Sequence, residues 1–296
     1  MVTSAFLRRT SYDVAVIDLF SGPAFLWGEA VGWTAYAFGK PVVFTLRGGD
    51  LPGFAARVPR RVRALLRSAA AVTVPSQYLL DAMSEFRNDL QLIENPLDLP
   101  LYEFRARRPA TPKLVWLRAF HYIYNPALAP RVVQRLVEEF PGISLVMVGR
   151  DKHDGSFEET KRIAAELGVA DRIRLPGGVP KKDVASWLNK GDIFLNTTNV
   201  DNAPVSVLEA MACGLCVVST SAGGMAHLAE DGREVLLVRP DDPDAMADAV
   251  RRILREPDLA ERLSRSGRDR VARCDWSILL PQWEALFRRA AGVIRE

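Results

Sequence analysis

The sequence predicts an α/β protein made of two Rossmann-like, doubly wound domains, the N-terminal one shortened. Three observations lead there. Short apolar, β-branched runs alternate with longer segments of helical period almost throughout, as parallel strands joined by crossover helices do. A stretch rich in proline and charge, ENPLDLPLYEFRARRPATP from Glu94 to Pro112, interrupts that alternation and reads as a linker. The length, 296 residues, suits two domains better than one core.

Before the linker the predicted strands are Val14 to Ile17, Val42 to Leu46, Ala71 to Val74 and Leu92 to Ile93, with helices over 24–38, 58–69 and 76–86. Beyond it come Lys113 to Leu117, Ile143 to Val148, Arg172 to Leu175, Ile193 to Asn196, Val217 to Thr220 and Val235 to Val238. Each of these six is followed by a helical stretch, which completes a doubly wound domain. Asp244 to Arg273 reads as two helices, with Asp244 as a cap. A last helix starts at Asp275 and carries Trp276, Leu279, Leu280, Trp283 and Phe287. The resulting division is 1–105, 106–275 and a C-terminal helix, 276–296, expected to pack back toward the N-terminal domain.

Hydrophobic residues make up 48% and charged residues 25%, the balance of a soluble globular chain, and no apolar run reaches the roughly 20 residues of a membrane helix. The start, MVTSAFLRRTSYD, lacks the long apolar region of a secretory signal, so a cytoplasmic location is expected, extending to the inner face of the membrane. A net charge of +3 gives no reason to expect a nucleic-acid partner. Arg57, Arg60, Arg61, Arg63 and Arg67 interleave with Val58, Val62, Leu65 and Leu66, which a helix sorts into a basic face beside an apolar stripe. That face reads first as a solvated surface over a core stripe, with a peripheral membrane contact as the alternative. Cys213, Cys216 and Cys274 are too few for a disulfide framework; the CGLC spacing joins an apolar helix to an apolar strand and reads as packing.

Ligands of open α/β sheets bind at the carboxyl ends of the strands, so chemistry is sought in the loops there. Arg118 follows the strand Lys113 to Leu117 and offers a planar fork suited to phosphate oxygens. Gly149 follows the next strand and Gly177, Gly178 and Val179 the one after; such glycines serve a close-approaching ligand or a plain turn equally well. After Asn196 the chain reads TTNVDNAPVSVLEAMACG, where Pro204 fits a helix start and the amides of Val205, Ser206 and Val207 would face an anion. SAGG, Ser221 to Gly224, opens the next helix with another tight turn.

The run DNAPVSVLEAMACGLCVVSTSAGG, with LFSGPAF and VVFTLRGGDLP before it and WLRAFHYIYNP between, resembles the GT-B glycosyltransferases of family 4 (glycosyl transferases group 1). That family carries an acidic residue, seven others and a glutamate ahead of an EAMACG-like helix, and Asp201 and Glu209 hold the spacing. The resemblance implies a GT-B fold and a retaining, metal-independent transferase with a nucleotide diphosphate sugar as donor and no cofactor. It implies that Glu209 binds the ribose and Asp201 the transferred sugar. Arg118 would hold the diphosphate with the backbone of Asn202, Ala203, Pro204, Val205 and Ser206, while Gly149 and Gly177 to Val179 border the base. The acceptor would be a glycan, a lipid-linked sugar or a small molecule.

Four departures from the family stand out. AFHYIYNP supplies His121, Tyr122 and Asn125 where a lysine usually follows the arginine, and Arg47 in TLRGGD replaces a histidine that faces the reaction centre. His227 stands where glutamate is common. The sequence begins near the middle of the usual N-terminal domain, which is compatible with a homo- or hetero-oligomer covering a shortened sheet. A catalytically reduced nucleotide-sugar-binding subunit, needing a partner chain, is therefore the alternative to a working transferase, and a nucleotide-sugar epimerase on the same fold is a third.

Overall fold

In the computed structural model, which describes residues 10–292, the described residues form ten strands in two parallel sheets. The chain divides into two compact units. The first holds the described residues up to Pro96, the loop Asp201–Ala203 and the described residues from Trp276 onward; the second holds Leu97–Val200 and Pro204–Asp275.

The first sheet is β1 (Ala15–Leu19), β2 (Val42–Leu46), β3 (Ala71–Val74) and β4 (Gln91–Leu92), lying in chain order. Right-handed crossovers that always step the same way place their helices on a single face. That face buries Leu19, Phe44, Leu46 and Val74 with Phe25 of the helix Pro23–Ala37 and Leu65 of the helix Pro59–Ser68. Its helix sits close because Gly32 faces Phe44, where a Cβ would overlap the ring. The opposite face would be bare, and there Val43, Ala71 and Ile93 are covered by Leu279 and Leu286 of the C-terminal helix Trp276–Ala290, with Trp283 and Phe287 beside them. The short helix Leu51–Arg57 has no counterpart in the sequence reading, because Pro52 and Gly53 in its first turn are turn-forming residues.

The second sheet contains β5 (Lys113–Leu117), β6 (Ser144–Val148), β7 (Ile173–Gly177), β8 (Ile193–Asn196), β9 (Cys216–Thr220) and β10 (Leu236–Val238) in the order β10-β9-β8-β5-β6-β7. The chain winds outward from β5 to β7, then restarts on the other side at β8, so the switch point lies between β5 and β8. β8 and β9 are buried along their whole length, which is why they read as unbroken apolar runs.

Three local expectations are revised or refined. Asp242, not Asp244, caps the helix Pro243–Arg255 by accepting from the Ala245 amide at 2.9 Å, because Pro243 fixes the first helical φ one residue earlier. Asp244 instead pairs with Arg135. The arginine-rich face is spent partly inside the unit, Arg61 pairing with Glu29 and Arg57 with Asp50 at 3.5 Å. All three cysteines are buried, and burial pushes the thiols of Cys213 and Cys216 up to about 12, which removes thiolate chemistry at neutral pH.

The stretch Glu94–Pro112 is not a solvated spacer. Leu97, Tyr102, Arg107 and Ala110 are buried within it. Arg107 donates to Asp192 at 3.2 Å, to the Gly191 carbonyl at 3.1 Å, to Asn189 at 3.1 Å and to the Cys213 carbonyl at 2.6 Å. Asp192 also accepts from the Thr111 amide at 2.8 Å. Burial pushes the Asp192 carboxyl up, but the Thr111 hydrogen bonds together with Arg105 and Arg107 outweigh it and hold it below the ordinary range. Truncating one partner of a buried pair strands the other charge. Asp192→Ala is therefore expected to cost about 3–5 kcal/mol of stability, measured by denaturant melts. Because the folded value is lowered, the wild type keeps this stability above the ordinary aspartate value of about 3.9 and loses it as pH falls through the folded value, a dependence the variant lacks.

Candidate functional site

At the carboxyl ends of β5, β6 and β7 the second unit carries an open cavity of about 440 Å³. Arg118 enters it after β5, Gly149 after β6, and Gly178 and Val179 after β7. The remaining wall is the first turn and a half of the helix Val205–Ala212, through Val205, Ser206 and Glu209. This is the switch-point crevice of the sheet, where loops from both winding directions converge.

The glycines have a packing reason as well as an approach role. A Cβ on Gly149 would overlap the Arg118 carbonyl, and its amide donates to the Gly177 carbonyl at 3.0 Å. Gly177 takes φ +80°, and Gly178 lies against the aliphatic stem of Arg150. The ends of β5 and β6 can therefore draw together only with glycine at position 149, while Gly177 serves the left-handed turn.

Arg118 is partly buried and lies over the Tyr124 ring, its Cζ 4.2 Å from the ring centroid. Burial lowers its pKa and Tyr124 opposes that shift, while a guanidinium remains charged throughout the working range. Glu209 is only 4% exposed. Its Oε1 accepts the Tyr102 hydroxyl at 2.7 Å and the ammonium of Lys181.

The helix Val205–Ala212 starts without a side-chain cap. Pro204 precedes it, and the Val207 amide turns inward to the Pro204 carbonyl at 3.1 Å. The amides facing an anion are thus those of Val205 and Ser206, which precede the first intrahelical acceptor; Val207 is removed from the expected set. Ser206 is 5% exposed, lines the cavity, and its Oγ has no hydrogen-bond partner among the described residues.

Sequence reasoning found one cation here, Arg118, and looked for a second in AFHYIYNP. The structure supplies others from different strand ends: Arg150 and Lys152 after β6 and Lys181 after β7 line the same cavity. The three residues of AFHYIYNP serve the loop instead. His121 caps the turn Tyr122–Tyr124, Tyr122 is 68% exposed, and Asn125 takes a left-handed φ of 44° and donates to Asp241 at 3.2 Å. His227 is exposed on the short helix Met225–Leu228. Tyr102 lay inside the supposed linker, and a tyrosine after a proline-rich run carries no signal of its own.

The remaining expected residues belong to the first unit. Arg47 donates to Asp18 at 3.0 Å and to Asn95, and Asn95 donates to the Ala203 carbonyl at 2.9 Å. Ser76 donates to Asn202, whose own amide donates to Asp201 at 2.9 Å. The cationic charge of Arg47 is offset by Asp18.

The glycosyl transferases group 1 family model matches residues 105–270, more than half of the chain. The D-inositol 3-phosphate glycosyltransferase of Thermomonospora curvata is 27% identical over 299 residues, covering 88% of this chain and 69% of that protein. Its namesake from Thermobispora bispora is 26% identical over 97% of this chain and 74% of its own length. The fold is shared with sucrose-phosphate synthase from Thermosynechococcus elongatus, at a TM-score of 0.80 and 20% identity over 99% of this chain and 77% of that one. Anabaena HepE in complex with UDP-glucose also matches, at 0.80 and 17% identity over 97% of this chain and 81% of that one. These are GT-B glycosyltransferase structures, and the two parallel sheets here have that fold.

Gly149→Ala is expected to force the Arg118 carbonyl out of place, costing about 1–3 kcal/mol of stability and weakening whatever the cavity holds. Thermal melts with and without ligand check both effects.

Proposed function

The chain belongs to the glycosyl transferases group 1 family, and on that premise we propose that this glycosyltransferase moves a sugar from a nucleotide diphosphate donor to a hydroxyl-bearing acceptor with retention of configuration. The observation that carries the proposal is Ser206. A buried hydroxyl without a partner is costly, and this one sits at an uncapped helix start among Arg118, Lys181, Arg150 and Lys152. A phosphate oxygen would satisfy it.

The diphosphate would lie against the Val205 and Ser206 amides with Arg118 beside it, each charge-assisted bond contributing about 1.5–3 kcal/mol. Glu209 would accept from the ribose hydroxyls, and Gly149 with Gly177, Gly178 and Val179 would border the base. Asp201, in the segment with Asn202, Ala203 and Pro204, would read the hydroxyls of the transferred sugar. On departure the diphosphate gathers charge that Arg118 and the helix start stabilise, and its oxygen takes the acceptor proton on the same face of the sugar. The two carboxylates then act as hydroxyl acceptors, with no side-chain nucleophile required. Arg47 would contribute charge near the reaction only so far as its pairing with Asp18 leaves it. HepE's complex makes UDP-glucose the first donor to try, and the Thermomonospora relative makes a phosphorylated inositol the first acceptor, ahead of glycans and lipid-linked sugars.

Calorimetric titration with a panel of UDP- and GDP-sugars, with donor hydrolysis followed in the same samples, tests this. One donor is expected to bind and turn over, and folded protein that binds none of them overturns the proposal. Binding without turnover against any acceptor favours the reduced binding subunit. Arg118→Ala is expected to lower kcat/KM about a hundredfold to a thousandfold. With the free nucleotide as ligand, Glu209→Ala should weaken binding more than Asp201→Ala does; equal losses refute the division of roles.

A further inference from the structure

We propose that Tyr102 is a positioning residue for donor recognition: by holding Oε1 of Glu209 it presents Oε2 to the nucleotide ribose. This rests on the assignment of Glu209 to the ribose hydroxyls and goes beyond it, since Tyr102 lies outside the matched residues 105–270.

Both protein donors to Glu209 converge on one oxygen, the Tyr102 hydroxyl at 2.7 Å and the Lys181 ammonium, while Oε2 has no donor among the described residues. The two donors differ in kind. The Lys181 side chain is 66% exposed, and such a pair contributes little and yields readily to solvent or ligand. Tyr102 is 4% exposed and packed in the apolar cluster that also holds Val207 and Leu208. Its backbone is fixed as well: the amide donates to the Leu99 carbonyl at 3.1 Å and the carbonyl accepts from Arg268 at 3.1 Å. Arg268 donates also to Ala212 at 2.6 Å, the last residue of the helix that carries Glu209, so donor and acceptor are braced on one frame. Burial raises the pKa of the phenol, which stays a hydrogen-bond donor at every working pH. A carboxylate with one oxygen immobilised has its second lone-pair set aimed, and a ribose diol needs an aimed acceptor.

The test is a cycle between Tyr102→Phe and the sugar hydroxyls, using the nucleoside diphosphate that binds best, UDP or GDP, and its 2′,3′-dideoxy counterpart. Tyr102→Phe is expected to raise the Kd of the ribonucleotide about tenfold and to leave that of the dideoxy compound unchanged, in a protein that still melts cooperatively at a somewhat lower temperature. An unchanged ribonucleotide Kd, or equal losses for both compounds, overturns the positioning role, the second outcome marking a merely structural tyrosine. Glu209→Ala separates the two levels. If it weakens the ribonucleotide and Tyr102→Phe does not, only the present inference fails; if it has no effect on the ribonucleotide, the ribose assignment fails beneath it.

Discussion

A carboxylate that is withdrawn from water must be given hydrogen-bond donors, and Glu209 imposes that demand on the whole second unit. Its helix, Val205–Ala212, is apolar on nearly every side and buried from Ser206 through Ala212, and Glu209, at the cavity wall, is only 4% exposed. Tyr102 and Lys181 meet the demand from two distant parts of the chain. Tyr102 can do so only if the preceding segment is drawn in, which the Leu97 bridge to Asp275 and the Arg268 contacts accomplish. The irregular stretch before β5 thus supplies the neutral donor that the buried carboxylate requires.

A second buried charge pair disciplines the end of the same stretch. Arg107 reaches carbonyls and carboxylate around the start of β8, and Thr111 closes on the other oxygen of Asp192. Site and scaffold are therefore coupled through one short run of sequence: its first half places a donor on Glu209, its second half locks the edge of β8, whose far end leads to the cavity. Proline and charge, which from composition alone suggest a solvated connector, here supply fixed φ angles and buried donors.

What local pattern determines was legible. The strands Val42–Leu46, Ala71–Val74, Lys113–Leu117 and Ile193–Asn196 lie where periodicity places them, and the helix after Pro204 begins at a proline whose missing amide costs it nothing. Arg118, Gly149, Gly178, Val179, Val205 and Ser206, read from the loops that follow the strands, line one cavity with Glu209, which only the family resemblance singles out. What local pattern does not determine was hidden. Lys181 and Tyr102 matter through the residue they touch, 28 and 107 positions away, and no period or motif encodes that pairing. Nor does spacing reveal that Asp201–Ala203 is bound by Asn95 and Ser76 into the first unit, since those hydrogen bonds span more than a hundred residues.

The one-way winding of the first sheet has a consequence for how the chain comes into being. Its four strands emerge from the ribosome early, yet the layer that covers their second face is the helix Trp276–Ala290, and Arg289 meets Gln91 across 198 positions. During synthesis the face bearing Val43 and Ala71 precedes its cover by the whole length of the second unit, which is a compact body of its own. The first unit is begun first and finished last. From the completion of β4 until the helix Trp276–Ala290 is made, about 180 residues later, the apolar face of Val43 and Ala71 lacks the layer that covers it in the folded unit.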